Sequence, residues 1–235
     1  MKPWWQWSQP LRRRNAKALA AARAQHTPEI DYWRFVQWCW DTQCRALKQY
    51  ANDKGIALIG DIPIYVADNS ADVWSRPDLY ELGLDGLPTV IAGVPPDALG
   101  PDGQRWGNPL YRWDRMAKED YAWWAERVKR VLAQCDIVRI DHFRGFAGYW
   151  EIPASSPTAK IGRWVDGPGL PLFQAIEKQL GKLPIIAEDL GLITPDVVEL
   201  IEGCGFPRMK VLCFGFGGDG THEFLPHNYV PNTIV

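Results

Sequence analysis

The sequence predicts an α/β fold with parallel strands, and within that class it favours a β/α barrel. Helical and strand patterns alternate along the chain, as expected of parallel strands joined by right-handed crossovers. Several predicted strands also end in acidic residues. Barrel enzymes carry their functional side chains at that end of the strands; a doubly wound sheet is the alternative. Four strands are predicted, near residues 58, 138, 186 and 211.

The first predicted element is a long amphipathic helix. Residues 1–26 are basic and alanine-rich, which is typical of a solvated helical lead-in. Thr27-Pro28 is a good helix start, and apolar residues then recur every three or four positions until Gly55. The Trp and Cys residues of this stripe are expected to pack against a sheet.

The middle of the chain predicts two strands separated by a long loop and a helix. The stretch Ile56–Val66 begins as a predicted buried strand, and this strand ends in Asp61, just before a proline. Residues 67–113 are rich in proline and glycine, and a loop of this length is usually functional. A helix over 117–134 leads into the apolar run 137–140, which ends in Asp141.

The carboxyl-terminal part repeats the alternation. Residues 153–171 are predicted to be a loop, residues 172–180 a helix and residues 183–187 a strand that runs into Glu188. Thr194-Pro195 starts a further helix, and a last strand is expected over 209–214.

The composition excludes several classes of protein. With 46% hydrophobic residues and a net charge of −2, the chain can bury a sizeable core and has no general attraction to nucleic acid. No stretch approaches the roughly 20 apolar residues of a membrane span. Five cysteines without a Cys-x-x-Cys pair suit reduced thiols, so a cytoplasmic location is predicted. The 13 tryptophans suit either a sugar-binding cleft or a large core.

Asp141 and Glu188 are the strongest chemical candidates. In a barrel they would lie on neighbouring strand ends and face one cavity. A retaining glycosidase needs an ionised carboxylate as nucleophile and a protonated one as acid. Arg139 lies on the same side of its strand as Asp141 and would keep that carboxylate ionised, whereas Glu188 has less compensation. The alternative is that both acids cap helices or pair with arginines.

Two other motifs are weaker. Gly215–Gly220 has Gly-x-Gly-x-x-Gly spacing, but the prolines that follow it do not suit the helix that a dinucleotide site needs. His222 and His227 lack an acidic companion motif. No Gly-x-Ser-x-Gly motif is present, and neither a metal nor another cofactor is predicted.

At these residues the sequence resembles the 4-α-glucanotransferases, the amylomaltase or disproportionating-enzyme family of the α-amylase clan. The resemblance extends over nearly the whole chain. It is carried by five segments: Gly60–Ala67 with Asp68–Tyr80, Gly93–Asp97, Gln104–Pro109, Val138–Gly145 and Ile186–Gly191.

The resemblance implies the roles of individual residues. Asp141 would be the nucleophile and Glu188 the general acid/base, with Arg139 and His142 beside the nucleophile and the bound sugar. Four further residues match positions that line the glucan cleft: Asp61, Asp97, Trp106 and Asn108. Pro95–Trp106 is similar to the family's lid loop.

The resemblance also implies a (β/α)8 barrel of the α-amylase type, of which residues 1–235 would be an incomplete part covering about four central strands. The family's third carboxylate lies in a Thr-His-Asp-Asn segment beyond Val235. The isolated chain is therefore expected to be inactive and prone to aggregate, because a partial barrel leaves strand edges unpaired and helix faces uncovered.

The implied reaction is the transfer of α-1,4-glucan segments between malto-oligosaccharides, starch- or glycogen-derived glucans included, through a glucosyl-aspartate. The alternatives are an α-1,4-glucan hydrolase of the same clan and a non-catalytic glucan-binding module that uses Trp106.

Overall fold

The computed structural model describes residues 2–97 and 100–235. The strands are β1 (Ile59–Pro63), β2 (Val90–Val94), β3 (Gln104–Pro109), β4 (Ile137–Asp141), β5 (Gly148–Pro153), β6 (Arg163–Asp166), β7 (Ile185–Ala187), β8 (Arg208–Met209) and β9 (Thr233–Ile234). The α-helices are α1 (Gln9–Arg12), α2 (Ala16–Gln25), α3 (Thr27–Asp53), α4 (Ala71–Ser75), α5 (Trp113–Lys118), α6 (Ala122–Leu132), α7 (Leu170–Leu180) and α8 (Pro195–Cys204).

The chain divides into two compact units. The first comprises Met1–Ala57, Tyr65–Arg115 and Glu151–Gly162, and the second comprises Leu58–Ile64, Met116–Trp150 and Arg163–Val235. No helix among the described residues is both long and apolar enough to cross a membrane.

The long helix α3 forms where the sequence predicts it, but the prediction for its apolar stripe is wrong. Trp33 and Trp40 are 59% and 57% exposed, and Ala51 is the one buried residue of the helix. Within the described residues no sheet covers this face. The periodicity identified a face suited to burial, but periodicity does not determine what covers it.

The predicted long loop over 67–113 instead contains regular structure in about half of its length. It contains α4, whose N-cap Ser70 accepts a hydrogen bond from the Val73 N–H, and the antiparallel pair of β2 and β3. Gly93 explains why this pair was missed. A Cβ at this position would lie 2.1 Å from the Gln104 carbonyl oxygen, so the close pairing requires a residue that is itself a sign of a loop.

Three parallel strands form the centre of the second unit, in the order β1-β4-β7, which confirms the parallel arrangement. Their register aligns Asp61 with Arg139 and Ile140 with Ala187. Val138 and Ile140 are fully buried, as expected for alternate residues on the packed face of the sheet.

Strand β1 differs from its prediction in two respects. Asp61 is the third of its five residues rather than its end, and Ile59 is 58% exposed, so the strand is not buried. Strand β1 lies at the edge of the sheet and has only β4 beside it, which leaves more of its surface open than the apolar run indicated.

The predicted fourth strand, 209–214, is also wrong. The strand there is Arg208–Met209, and it pairs in parallel with β9 rather than joining the central sheet. A short 3-10 helix, Leu212–Gly217, follows it. The central parallel sheet therefore has three strands, β1, β4 and β7, and the sheets of the described residues form no closed barrel.

The remaining elements agree in part. The helix predicted over 117–134 is interrupted by Asp120 and Tyr121, which have φ angles of 47° and 53°. Strands β5 and β6 were not predicted. Helix α7 begins two residues early and ends at Gly181 as predicted, and α8 begins at Pro195 as predicted.

Candidate active site

Asp141 and Glu188 start from adjacent strand ends in the second unit. Asp141 is the last residue of β4, and Glu188 directly follows β7. Neighbouring strands lie about 4.8 Å apart, and Ile140 pairs with Ala187 one residue earlier, so the two acids follow that pair at the same level. The Glu188 N–H donates to the Ile140 carbonyl at 3.2 Å, which fixes this alignment.

Arg139 holds two carboxylates at once. Its guanidinium donates to Asp61 Oδ1 at 2.7 Å and to Asp141 Oδ1 at 2.8 Å, and its Nε contacts Met209 Sδ at 3.2 Å. Burial alone would lower the pKa of Arg139, but hydrogen bonds and charge from Asp61 and Asp141 raise it above its ordinary value. The Asp141 side chain remains 49% exposed, so one face of this paired carboxylate is open to a substrate.

Glu188 lies in the opposite kind of environment. The residue is 7% exposed, and both carboxyl oxygens accept backbone N–H groups: His142 at 2.6 Å and Leu190 at 2.7 Å. Burial raises the pKa of Glu188 above its ordinary value, assisted by the charge of Asp141 and opposed by the two N–H donors and Arg139. The side chain is thus held in place and protonates more readily than an ordinary glutamate.

The backbone of His142 makes the contact that orients Glu188. His142 has a φ of 56°, in the left-handed region, and this conformation places its N–H against Glu188 Oε2. Burial, with a smaller effect from the charge of Arg144, lowers the pKa of its imidazole to about 4. The ring is therefore neutral at neutral pH.

Aromatic side chains pack around the 3-10 helix that follows His142. Phe143 and Phe146 are fully buried in the 3-10 helix that follows His142, and Phe143 stacks on Phe173 of α7 with ring centroids 5.1 Å apart. Trp124 of α6 meets Phe146 edge-on at 5.2 Å. The strand end is thus built on a rigid apolar base.

Arg144 is a structural part of the site that the sequence did not single out. It is buried, donates to the Leu192 carbonyl at 2.8 Å, and has its guanidinium 4.1 Å from the ring centre of Trp164. Leu192 lies four residues after Glu188, so Arg144 fastens the segment that follows the buried glutamate. Its presence in the resemblance segment Val138–Gly145 was the available signal.

The structure brings together five of the predicted site residues in the second unit: Asp61, Arg139, Asp141, His142 and Glu188. The other three, Asp97, Trp106 and Asn108, belong to the first unit.

In the first unit, Asn108 donates to the Val66 carbonyl at 2.9 Å, and Trp106 donates to Gln104 Oε1 at 3.0 Å while remaining partly exposed. Asp97 accepts the Gly100 N–H at 2.8 Å. The predicted lid loop, Pro95–Trp106, includes residues 98 and 99, which lie outside the described residues.

Across residues 2–97 and 100–235, no group of three or more His, Cys, Asp or Glu side chains is arranged to hold a metal ion. The glycine segment Gly215–Gly220 leads into turns and a short 3-10 helix, Pro226–Asn228, and not into an α-helix.

A buried acid beside an arginine-paired carboxylate, on adjacent ends of parallel strands, fits the enzymes that process glycosidic bonds. The chain belongs to the 4-alpha-glucanotransferase family, whose sequence model matches residues 1–235.

Individual relatives agree with this membership. The chain is 51% identical over 227 residues to a 4-alpha-glucanotransferase of Thermus thermophilus, covering 97% of this chain and 45% of the relative. It is 45% identical over 232 residues to a chloroplastic or amyloplastic 4-alpha-glucanotransferase of Arabidopsis thaliana, covering 99% of this chain and 40% of the relative.

Among solved structures, an amylomaltase from Streptococcus agalactiae in complex with acarbose superposes with a TM-score of 0.95 at 45% identity, covering 99% of this chain and 47% of that one. The chain thus spans about half the length of the proteins it matches.

Proposed function

We propose that these residues form part of a retaining 4-α-glucanotransferase, with Asp141 as the nucleophile and Glu188 as the general acid/base. The observation that carries the proposal is the contrast between the two carboxylates: Asp141 is half-exposed and paired with Arg139, whereas Glu188 is buried with a raised pKa. Membership of the 4-alpha-glucanotransferase family supports the same reaction.

In the first step the proton on Glu188 passes to the glycosidic oxygen as Asp141 attacks the anomeric carbon. The bond from that carbon to the leaving sugar breaks, and a glycosyl ester on Asp141 forms. In the second step Glu188, now ionised, takes the proton of an acceptor's 4-hydroxyl group. The acceptor oxygen attacks the same carbon, the ester bond breaks, and the carboxylate of Asp141 and the proton of Glu188 are restored.

The surrounding residues have supporting roles in this proposal. Arg139 donates to Oδ1 of Asp141 and fixes that oxygen, which leaves Oδ2 for attack. The neutral imidazole of His142 is suited to a hydrogen bond with a sugar hydroxyl, because it can donate or accept without adding charge. Four residues contact the glucan: Asp61, Asp97, Trp106 and Asn108. An exposed indole such as that of Trp106 can stack on a pyranose ring.

The proposal extends to the parent fold and its setting. The parallel strands with acidic ends belong to a (β/α)8 barrel of the α-amylase type, of which this chain supplies a central part. The substrates are malto-oligosaccharides and glucans derived from starch or glycogen, and the protein works in the cytoplasm.

A chimera tests the reaction. The segment of the Thermus thermophilus relative that matches this chain is replaced by residues 1–235, and the product is incubated with maltotriose. Longer oligosaccharides are the expected products. Release of only glucose and maltose would favour a hydrolase, and binding without turnover would favour a glucan-binding module.

Two substitutions in the chimera test the residue roles. Asp141→Asn is expected to abolish transfer, and Glu188→Gln to lower kcat about 10²- to 10⁴-fold, the usual contribution of a general acid. Glu199→Gln on α8 is the control, because it removes an exposed carboxylate of the same unit. Transfer at the parental rate by either site variant would refute the assignment.

A further inference from the structure

Asp189, the residue after Glu188, is a fully buried carboxylate that the proposed reaction does not use. Its side chain has no exposed surface and accepts two hydrogen bonds. One comes from Arg208 Nε at 2.6 Å and the other from the backbone N–H of Met209 at 2.9 Å. Both donors belong to β8, so Asp189 connects the end of β7 to that strand.

Further contacts connect Asp189 to Asp141. Met209, whose N–H binds Asp189, places its sulfur 3.2 Å from Nε of Arg139. The two terminal nitrogens of the same guanidinium hold Asp61 and Asp141. A continuous set of contacts therefore leads from the backbone of Glu188 through Asp189, Met209 and Arg139 to Asp141.

Strand β8 is held against β9 and against the end of β7. It is two residues long and pairs with β9, which is equally short. Its contacts with the end of β7 include the backbone bond from the Ala187 N–H to the Pro207 carbonyl at 2.9 Å and the two bonds of Asp189. Because a short strand contributes little pairing energy, the ionic bond to Arg208 and the bond to Met209 N–H fix where the sulfur lies.

We infer that Asp189 is a positioning residue: by holding β8 it places Met209 against Arg139 and so orients the carboxylate of Asp141 relative to Glu188. The inference rests on the proposed function. In this inference the two consecutive acids have different roles. Glu188 is the general acid/base, and Asp189 positions the nucleophile Asp141.

Asp189→Asn in the chimera tests this role. The amide keeps an acceptor for the Met209 N–H but loses the ionic bond to Arg208, so β8 is held less firmly. We expect kcat to fall about 100-fold, the effect of a displacement of about 1 Å at a reacting group. KM should change little, because no sugar contact is removed. Glu199→Gln is again the control and should retain the parental kcat.

A donor with a good leaving group separates positioning from acid catalysis. α-Maltosyl fluoride needs little protonation of its leaving group. The rate of the first step in Glu188→Gln should therefore recover with this donor, and a burst of fluoride release measures it. Asp189→Asn should not recover, because its nucleophile is misplaced whatever the leaving group. Recovery of Asp189→Asn to the same extent would overturn the inference.

Met209→Leu covers the case in which Asp189→Asn does not fold. It removes only the sulfur contact with Arg139 and keeps a similar side-chain volume and the backbone bond to Asp189. We expect a lower kcat with an unchanged melting temperature. If both variants fold, the kcat of the double variant should match that of Asp189→Asn within a factor of about 2, because the two substitutions act on the same series of contacts.

The outcomes are distinguishable. If Glu188→Gln loses turnover while Asp189→Asn and Met209→Leu keep the parental kcat, the positioning role fails and the proposed function stands. If Glu188→Gln keeps the parental kcat, the proposed function fails and the positioning role fails with it.

Discussion

The buried imidazole of His142 should make the stability of the chain fall with acid. Its pKa is lowered from 6.5 to about 4, mainly by burial. Below pH 6.5 the unfolded chain takes up a proton at this residue, whereas the folded chain does not until about pH 4. The stabilisation is therefore complete above pH 6.5 and is lost as the pH falls from 6.5 to 4. At about 1.4 kcal/mol for each unit of pKa, the loss is about 3 kcal/mol.

Comparison with His142→Asn isolates this effect. Asparagine tolerates the positive φ of 56° and keeps the N–H that binds Glu188, but it does not titrate. Urea unfolding of the chimera and of its His142→Asn variant, followed by circular dichroism at pH 8 and pH 4, should show the chimera losing about 3 kcal/mol more than the variant. The opposite contribution of Glu188 is present in both chains and cancels in the difference.

The reasoning would be refuted if the free energy of unfolding fell equally with pH in the chimera and in the His142→Asn variant. An imidazole of His142 that titrates near pH 6.5 by NMR would also refute it, since the predicted loss depends on the ring staying neutral well below that pH.

Three further predictions concern the sheet and its neighbours. Phe143→Ala should destabilise the chimera by about 3–5 kcal/mol in urea unfolding, because it leaves a cavity among buried rings. A loss below about 1 kcal/mol would contradict the packing. Gly60→Ala should cost about 1–3 kcal/mol, since its Cβ would lie 2.6 Å from Cys135 Sγ, and an unchanged denaturation midpoint would contradict that contact. Purified residues 1–235 should aggregate and release no glucose from maltotriose; glucose release by a monodisperse sample would contradict this.

The pairing of Arg139 with Asp141 was predictable from the sequence because its signal is local. An apolar run that ends in Asp141, with Arg139 two residues earlier, determines both the strand and the side of it on which the ion pair forms. Alternation of side chains along a strand is enough to give that result.

Other features depend on contacts that sequence patterns do not reveal. The strands β2 and β3 lie in a segment where a glycine permits close pairing and also imitates a loop. Asp189 is a second acid beyond the end of β7, but its bonds to Arg208 and Met209 depend on where β8 lies, which no local pattern determines.

The exposed stripe of α3 and the short β8 show the same limit at a larger scale. The sequence predicted that the stripe packs against a sheet and that 209–214 forms a strand, but an apolar pattern shows only that a face can be buried. What buries it is a tertiary property.

The proposed reaction passes through a glycosyl ester on Asp141. Mass spectrometry of peptides from the Glu188→Gln chimera after reaction with α-maltosyl fluoride detects this ester, because the variant permits the first step and slows the second. We expect a maltosyl group attached to Asp141. The same experiment with no sugar on any peptide, or with the sugar on a different residue, would contradict it.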